Sequence, residues 1–142
     1  MAFLAFMRPE TENIINNKST FTFKKEERLC SKKVIDKLFA EGESFLSFPI
    51  KISFIKTTLP SNSPVQAAFS VSKKNFKKAV HRNRIKRLMR EAYRLNKNKI
   101  YEQTGVEQVA IFFIFIGKEL PDYTSIEKGI KKGIKKLIKK LN

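Results

Sequence analysis

No glycine or proline interrupts Ala79 to Leu95, so one helix can run through the whole stretch. Wound at 100° per residue, it places His81, Ile85, Leu88, Ala92 and Leu95 on one stripe, with Met89 at the margin. A stripe of that kind packs on a sheet. A second face repeats Arg82, Lys86, Arg90 and Arg94 every four residues, with Asn83, Arg87 and Tyr93 among them. Just upstream, the apolar run Ala67 to Val71 reads as a buried strand. The chain must therefore join a strand to a long basic helix.

From Lys73 to Arg94 the basic side chains are Lys73, Lys74, Lys77, Lys78, Arg82, Arg84, Lys86, Arg87, Arg90 and Arg94, against the single acid Glu91. Like charges four residues apart on a helix repel by a few tenths of a kcal/mol per pair. Neutralisation by a polyanion relieves that repulsion. Solvated faces usually mix signs and this one does not, which points to RNA or DNA. The net charge of +17 over 142 residues extends the argument to the whole chain.

Other classes find little support. Cys30 is the only cysteine, which excludes an internal disulfide and is compatible with a reducing cytoplasm. His81 is the only histidine, so His-based metal clusters are excluded. No glycine-rich phosphate loop and no spaced acidic cluster for two metals is present. No catalytic residue and no metal site is expected in the chain itself.

A length of 142 residues suits one domain. Residues 1–20 read as a disordered tail and 21–142 as the domain. The apolar stretch Met1 to Met7 is too short to span a bilayer. A first helix is expected from Lys25 or Glu26 to Ala40, ended by Gly42. Its apolar arc is wider than one packing contact requires, which puts Ile35 and Phe39 at the edge of a groove. Alternation around Phe48, Ile50, Ile52 and Phe54, with Lys51 and Ser53 opposite, predicts strands near Glu43–Phe48 and Ile50–Thr57, broken at Pro49. The turn Pro60–Pro64 then predicts an antiparallel hairpin with the strand Val65–Ser72. Val106 to Ile116, the most apolar run, reads as a central strand. The last helix aligns Ile126, Ile130, Ile134, Leu137, Ile138 and Leu141, with seven lysines over the rest. The expected fold is an α+β two-layer sandwich of αβββαβα order, with helices on a four-stranded mixed sheet.

Ser70–Lys74 (SVSKK) followed by Ala79–Tyr93 (AVHRNRIKRLMREAY) closely resembles the signature of the bacterial ribonuclease P protein subunit, marked by the Arg82-Asn83-Arg84 triplet. That family has the same element order, and the resemblance alone implies a left-handed strand–helix–strand crossover. It further implies a ribonucleoprotein that removes the 5′ leader of precursor tRNA, with hydrolysis performed by a catalytic RNA subunit and its Mg2+. On this resemblance Lys73, Lys74, Arg82, Asn83, Arg84, Lys86, Arg87 and Arg90 contact the RNA subunit. Ile35, Phe39, Lys51 and Ser53 line the leader-binding cleft. The implied partners are the catalytic RNA and precursor tRNA, with no membrane and no protein partner required. A structural or ribosomal-type RNA-binding protein is the alternative; it shares charge and fold but does not need the groove.

Overall fold

The computed structural model describes residues 23–103 and 107–141. The expected tail, residues 1–20, and the expected strand start at Val106 lie outside the described residues. The strands are β1 (Glu43–Ser47), β2 (Ile50–Lys56), β3 (Val65–Val71) and β4 (Val109–Phe115). They form one sheet in the order β1-β2-β4-β3. β1 and β2 are antiparallel, as are β2 and β4, whereas β3 and β4 are parallel.

The expected β2–β3 hairpin does not form; β4 lies between those two strands. The cause is composition. β4 is apolar at every position (VAIFFIF), so both of its faces favour cover and the centre of the sheet supplies it. The loop that seemed to close a hairpin instead wraps the start of β4. Gln108 holds it there: its Oε1 accepts from the Leu59 N–H at 2.8 Å, and its Nε2 donates to the carbonyls of Ser61 and Ser63 at 2.7 and 2.8 Å.

Helix α1 runs Lys32–Glu41 and α2 runs Ala79–Asn96; α3 (Asn98–Gln103) and α4 (Tyr123–Leu141) follow. The first helix starts later than its sequence suggests. Lys25–Glu27 is a separate 3-10 turn, and Arg28 bridges Ala67 on the outer edge of β3, where the Leu29 N–H donates to the Ala67 carbonyl at 2.9 Å. Ser31 then caps α1, its Oγ accepting from the Val34 N–H.

Alternation along β4 sorts the helices onto two faces. Ile111, Phe113 and Phe115 share the main core with Ile85, Met89, Ala92 and Tyr93 of α2 and with Ile126, Ile130, Ile134 and Leu137 of α4. Ala110 and Phe112 point the other way, into a small cluster with Leu38, Val34 and Ile35 of α1. The stripe of α2 is rotated from expectation. Tyr93, expected among the cations, is fully buried and packs on Phe69 and Phe113, while Leu95 is exposed. The i, i+4, i+7, i+8 set of Ile85, Met89, Ala92 and Tyr93 buries more carbon than a stripe ending at Leu95. α4 lies so close to β2 that a Cβ on Gly133 would stand 2.2 Å from Ile52 Cδ1. Its two glycines thus set the depth of docking as well as weakening the helix.

Candidate nucleic-acid interface

α1 spans ten residues and covers only part of its face of the sheet, because Gly42 ends it. A Cβ on Gly42 would meet the Leu38 and Phe54 carbonyl oxygens at 2.4 and 2.7 Å, so the close turn back into β1 requires glycine. Beyond that end the sheet face is open. Phe39 is 54% exposed, and its ring lies 5.1 Å from that of Phe112. Strand register puts Ser53 beside Phe112 and Lys51 beside Ile114.

The four cleft residues expected from sequence therefore share one face, with unequal parts. Phe39 and Lys51 are exposed and able to touch a ligand. Ile35 is half-buried, packed on the small cluster beneath α1. Ser53 is buried and forms floor. Sequence reading missed Phe112 and Ile114, both half-buried on this face. Every residue of their strand is apolar, so alternation gave no sign that one face was incompletely covered. The surface pairs an aromatic platform with a cation, which suits unstacked bases.

The second cationic surface is α2 with the turn before it. Lys73, Lys74, Asn83, Arg84, Arg87 and Arg90 are exposed, and Lys86 is partly so. Arg82 has a different setting. Its Nη1 donates to the carbonyls of Phe76 and Lys77, both at 2.8 Å, so it braces the loop that leads into the helix. Arg94, from the same four-residue row, pairs with Glu91 at 2.5 Å. Arg90 connects the two surfaces: with Phe23, Arg28, Ala68 and Phe69 it lines a groove of about 280 Å³ at the β3 edge. Among the described residues no group of three His, Cys, Asp or Glu could hold a metal ion.

A buried ionic cluster fixes the N-terminal segment against the helices. Lys97 and Tyr101 both donate to the Glu27 carboxylate, and the Lys24 N–H donates to its Oε2 at 2.7 Å. Burial alone would raise the Glu27 pKa, but these hydrogen bonds and the Lys97 charge outweigh it and hold the carboxyl below its ordinary value. Burial, together with the hydrogen bond to Glu27, pushes the Tyr101 phenol up. Nothing in the polar run around Lys97 distinguishes this lysine from its solvated neighbours, so sequence gave no warning.

Comparison with known proteins is consistent with this geometry. The family model for ribonuclease P matches residues 23–141. The ribonuclease P protein component of Porphyromonas gingivalis is 36% identical over 114 residues, covering 79% of this chain and 83% of the relative. That of Chlorobium phaeobacteroides is 37% identical over 121 residues, covering 77% and 83%. In fold the chain is similar to the ribonuclease P protein of Thermotoga maritima, with TM-score 0.62, 24% identity and coverage of 78% and 96%. It is also similar to that of Staphylococcus aureus, with TM-score 0.58, 20% identity and coverage of 82% and 98%. On the family match over nearly the whole described chain and on these relatives, the chain belongs to the ribonuclease P protein family.

Proposed function

We propose that this chain works as the protein component of ribonuclease P, assisting an RNA subunit that removes the 5′ leader from precursor tRNA. The observation that carries this reading is the half-covered sheet face, where Phe39 leans on Phe112 and Lys51 is exposed two residues along the neighbouring strand from Ser53, the partner of Phe112. A purely structural RNA binder needs charge but has no use for such a platform. The unpaired leader lies over this face, with bases against Phe39 and phosphates near Lys51. Arg84, Arg87, Arg90, Lys86 and Asn83, with Lys73 and Lys74, engage the phosphates of the RNA subunit. Arg82 holds the loop that aims them.

The protein's part in the reaction is electrostatic and positional. Two RNAs repel each other, and a cationic wedge between them lowers the cost of their approach. Magnesium enters with the RNA subunit, which supplies the hydrolytic chemistry; the described side chains offer no carboxylate cluster for it. No helix among the described residues is long and apolar enough to cross a membrane, and the site of action that fits these partners is the cytoplasm.

Reconstitution tests the proposal. Purified protein added to the RNA subunit at low Mg2+ is expected to restore cleavage of precursor tRNA, whereas rigorously RNA-free protein cleaves nothing. Cleavage by the protein alone, or no gain on mixing, overturns it.

A further inference from the structure

The terminal helix and the β1–β2 turn form another surface that neither the cleft nor α2 accounts for. The turn lifts Phe48 to 71% exposure, an unusual position for a phenylalanine. Beneath it lies an open groove of about 870 Å³. Phe48, Leu120 and Pro121 form its apolar wall, and Lys118, Lys128 and Lys132 its cationic one. Glu119 and Asp122 also stand on the rim, but Asp122 is engaged as a helix cap, its Oδ1 accepting from the Ser125 N–H at 2.9 Å.

From Lys128 and Lys132 the cations continue through Lys136 and Lys140, all exposed. Each step advances about 6 Å along the helix, comparable with one nucleotide of a single strand. Lys136 is partly anchored, donating to the Leu46 carbonyl at 3.1 Å, and Lys140 lies 5.9 Å from the Phe45 ring. The helix has no apolar face left for a membrane, because Ile126, Ile130, Ile134 and Leu137 are buried in the core. The groove also meets the loop ahead of α2, where the Asn75 side chain donates to the Gly117 carbonyl at 3.4 Å, close to exposed Lys73 and Lys74.

We propose that this groove holds an unpaired nucleotide of an RNA, its base stacked on Phe48 and its backbone carried along Lys128, Lys132, Lys136 and Lys140. The proposal rests on the reading that the chain binds RNA, not on a role in cleavage. Charge complementarity to a +17 chain selects a polyanion. The exposed ring selects one with free base faces, which a duplex hides.

The test is photocrosslinking of the full chain to a decauridylate carrying 4-thiouridine, with crosslinked residues assigned by mass spectrometry. Crosslinks at Phe48 or Leu120 are expected, lost in Phe48→Ala and retained in Phe39→Ala. Anisotropy with the same oligonucleotide, in the Phe39→Ala background, should show Phe48→Ala weakening binding by roughly five- to a hundredfold. Thermal unfolding confirms that each variant folds. Should Phe48→Ala fail to fold, Lys128→Gln with Lys132→Gln is read instead; it should lower the salt slope of binding by about 1.4. Crosslinks confined to the cleft and α2, or affinity unchanged by Phe48→Ala, overturn the proposal. So does Phe48-dependent capture of polyglutamate or anionic vesicles without Phe48-dependent binding of the oligonucleotide. The cleavage reconstitution reads the other proposal independently, since crosslinking at the groove needs no RNA subunit.

Discussion

Phe39 and Glu27 show how little a residue's type says about its work until its neighbours are placed. Phe39 sits on a helix whose arc faces the core, yet half its surface is open and its ring leans on Phe112. Precursor and mature tRNA differ only by a short single strand, so discrimination between them needs a platform for unpaired bases beside its cations, which overall charge alone does not supply. Phe39→Ala in the assembled enzyme should therefore weaken precursor binding by roughly five- to a hundredfold and leave mature tRNA binding unchanged. Loss of stability with equal loss for both RNAs would place Phe39 in the core instead. Glu27 makes the opposite point: a charged residue that is structural. Its carboxyl titrates lower folded than unfolded. Its contribution to stability is thus fully present above the ordinary value of 4.5 and is lost as pH falls below it. Urea unfolding across pH 7 to 3 should show this loss in the native chain. Glu27→Gln should lack it and be less stable by about 3–5 kcal/mol at pH 7, because buried Lys97 no longer faces the opposing Glu27 charge.

Elements were more legible than single residues, and the reasons differ. The uninterrupted basic run from Ala79 and the lysine-rich helix announced α2 and α4 through composition and period. β4 announced its central place through apolarity. The start of α1 was not legible, because Lys25, Glu26 and Glu27 are good helix formers and only the bridge of Arg28 to Ala67 shows why the chain leaves the helix there. Within α2, sequence treated Arg82 and Arg84 alike. The structure separates them: Arg82 braces the Phe76 and Lys77 carbonyls, and Arg84 is exposed. Arg84→Ala should weaken assembly with the RNA subunit while leaving thermal unfolding unchanged, and Arg84→Lys should restore only part, since lysine lacks the bidentate fork. Arg82→Ala should lower both stability and assembly. Identical behaviour of the two alanine variants in both assays would remove this division of labour.

At the scale of the whole molecule, the neighbours of β2 and β3 and the extent of the open face are what a single sequence could not supply. Strand order is set by which strand profits most from the centre, and a turn-rich loop such as Pro60–Pro64 carries no sign that it will wrap a strand 45 residues later through Gln108. The open face exists because a ten-residue helix is too short to cover it. Charge, by contrast, is additive and fully legible. Most of the +17 sits on two helices and the loop before α2, so RNA binding should release many counterions. If about six phosphates are neutralised, affinity for the RNA subunit should fall roughly a thousandfold between ~50 and ~200 mM salt. Arg84→Ala, which removes one contact, should reduce the slope of log affinity against log salt by about one unit. Phe39→Ala should weaken precursor binding while leaving that slope unaltered, because stacking releases no counterions. Filter binding across a salt series separates the two variants. A flat salt response would show that the charge is spent on solubility and not on RNA, and equal slope changes for the two variants would show that Phe39 supports a phosphate contact and does not act by stacking alone.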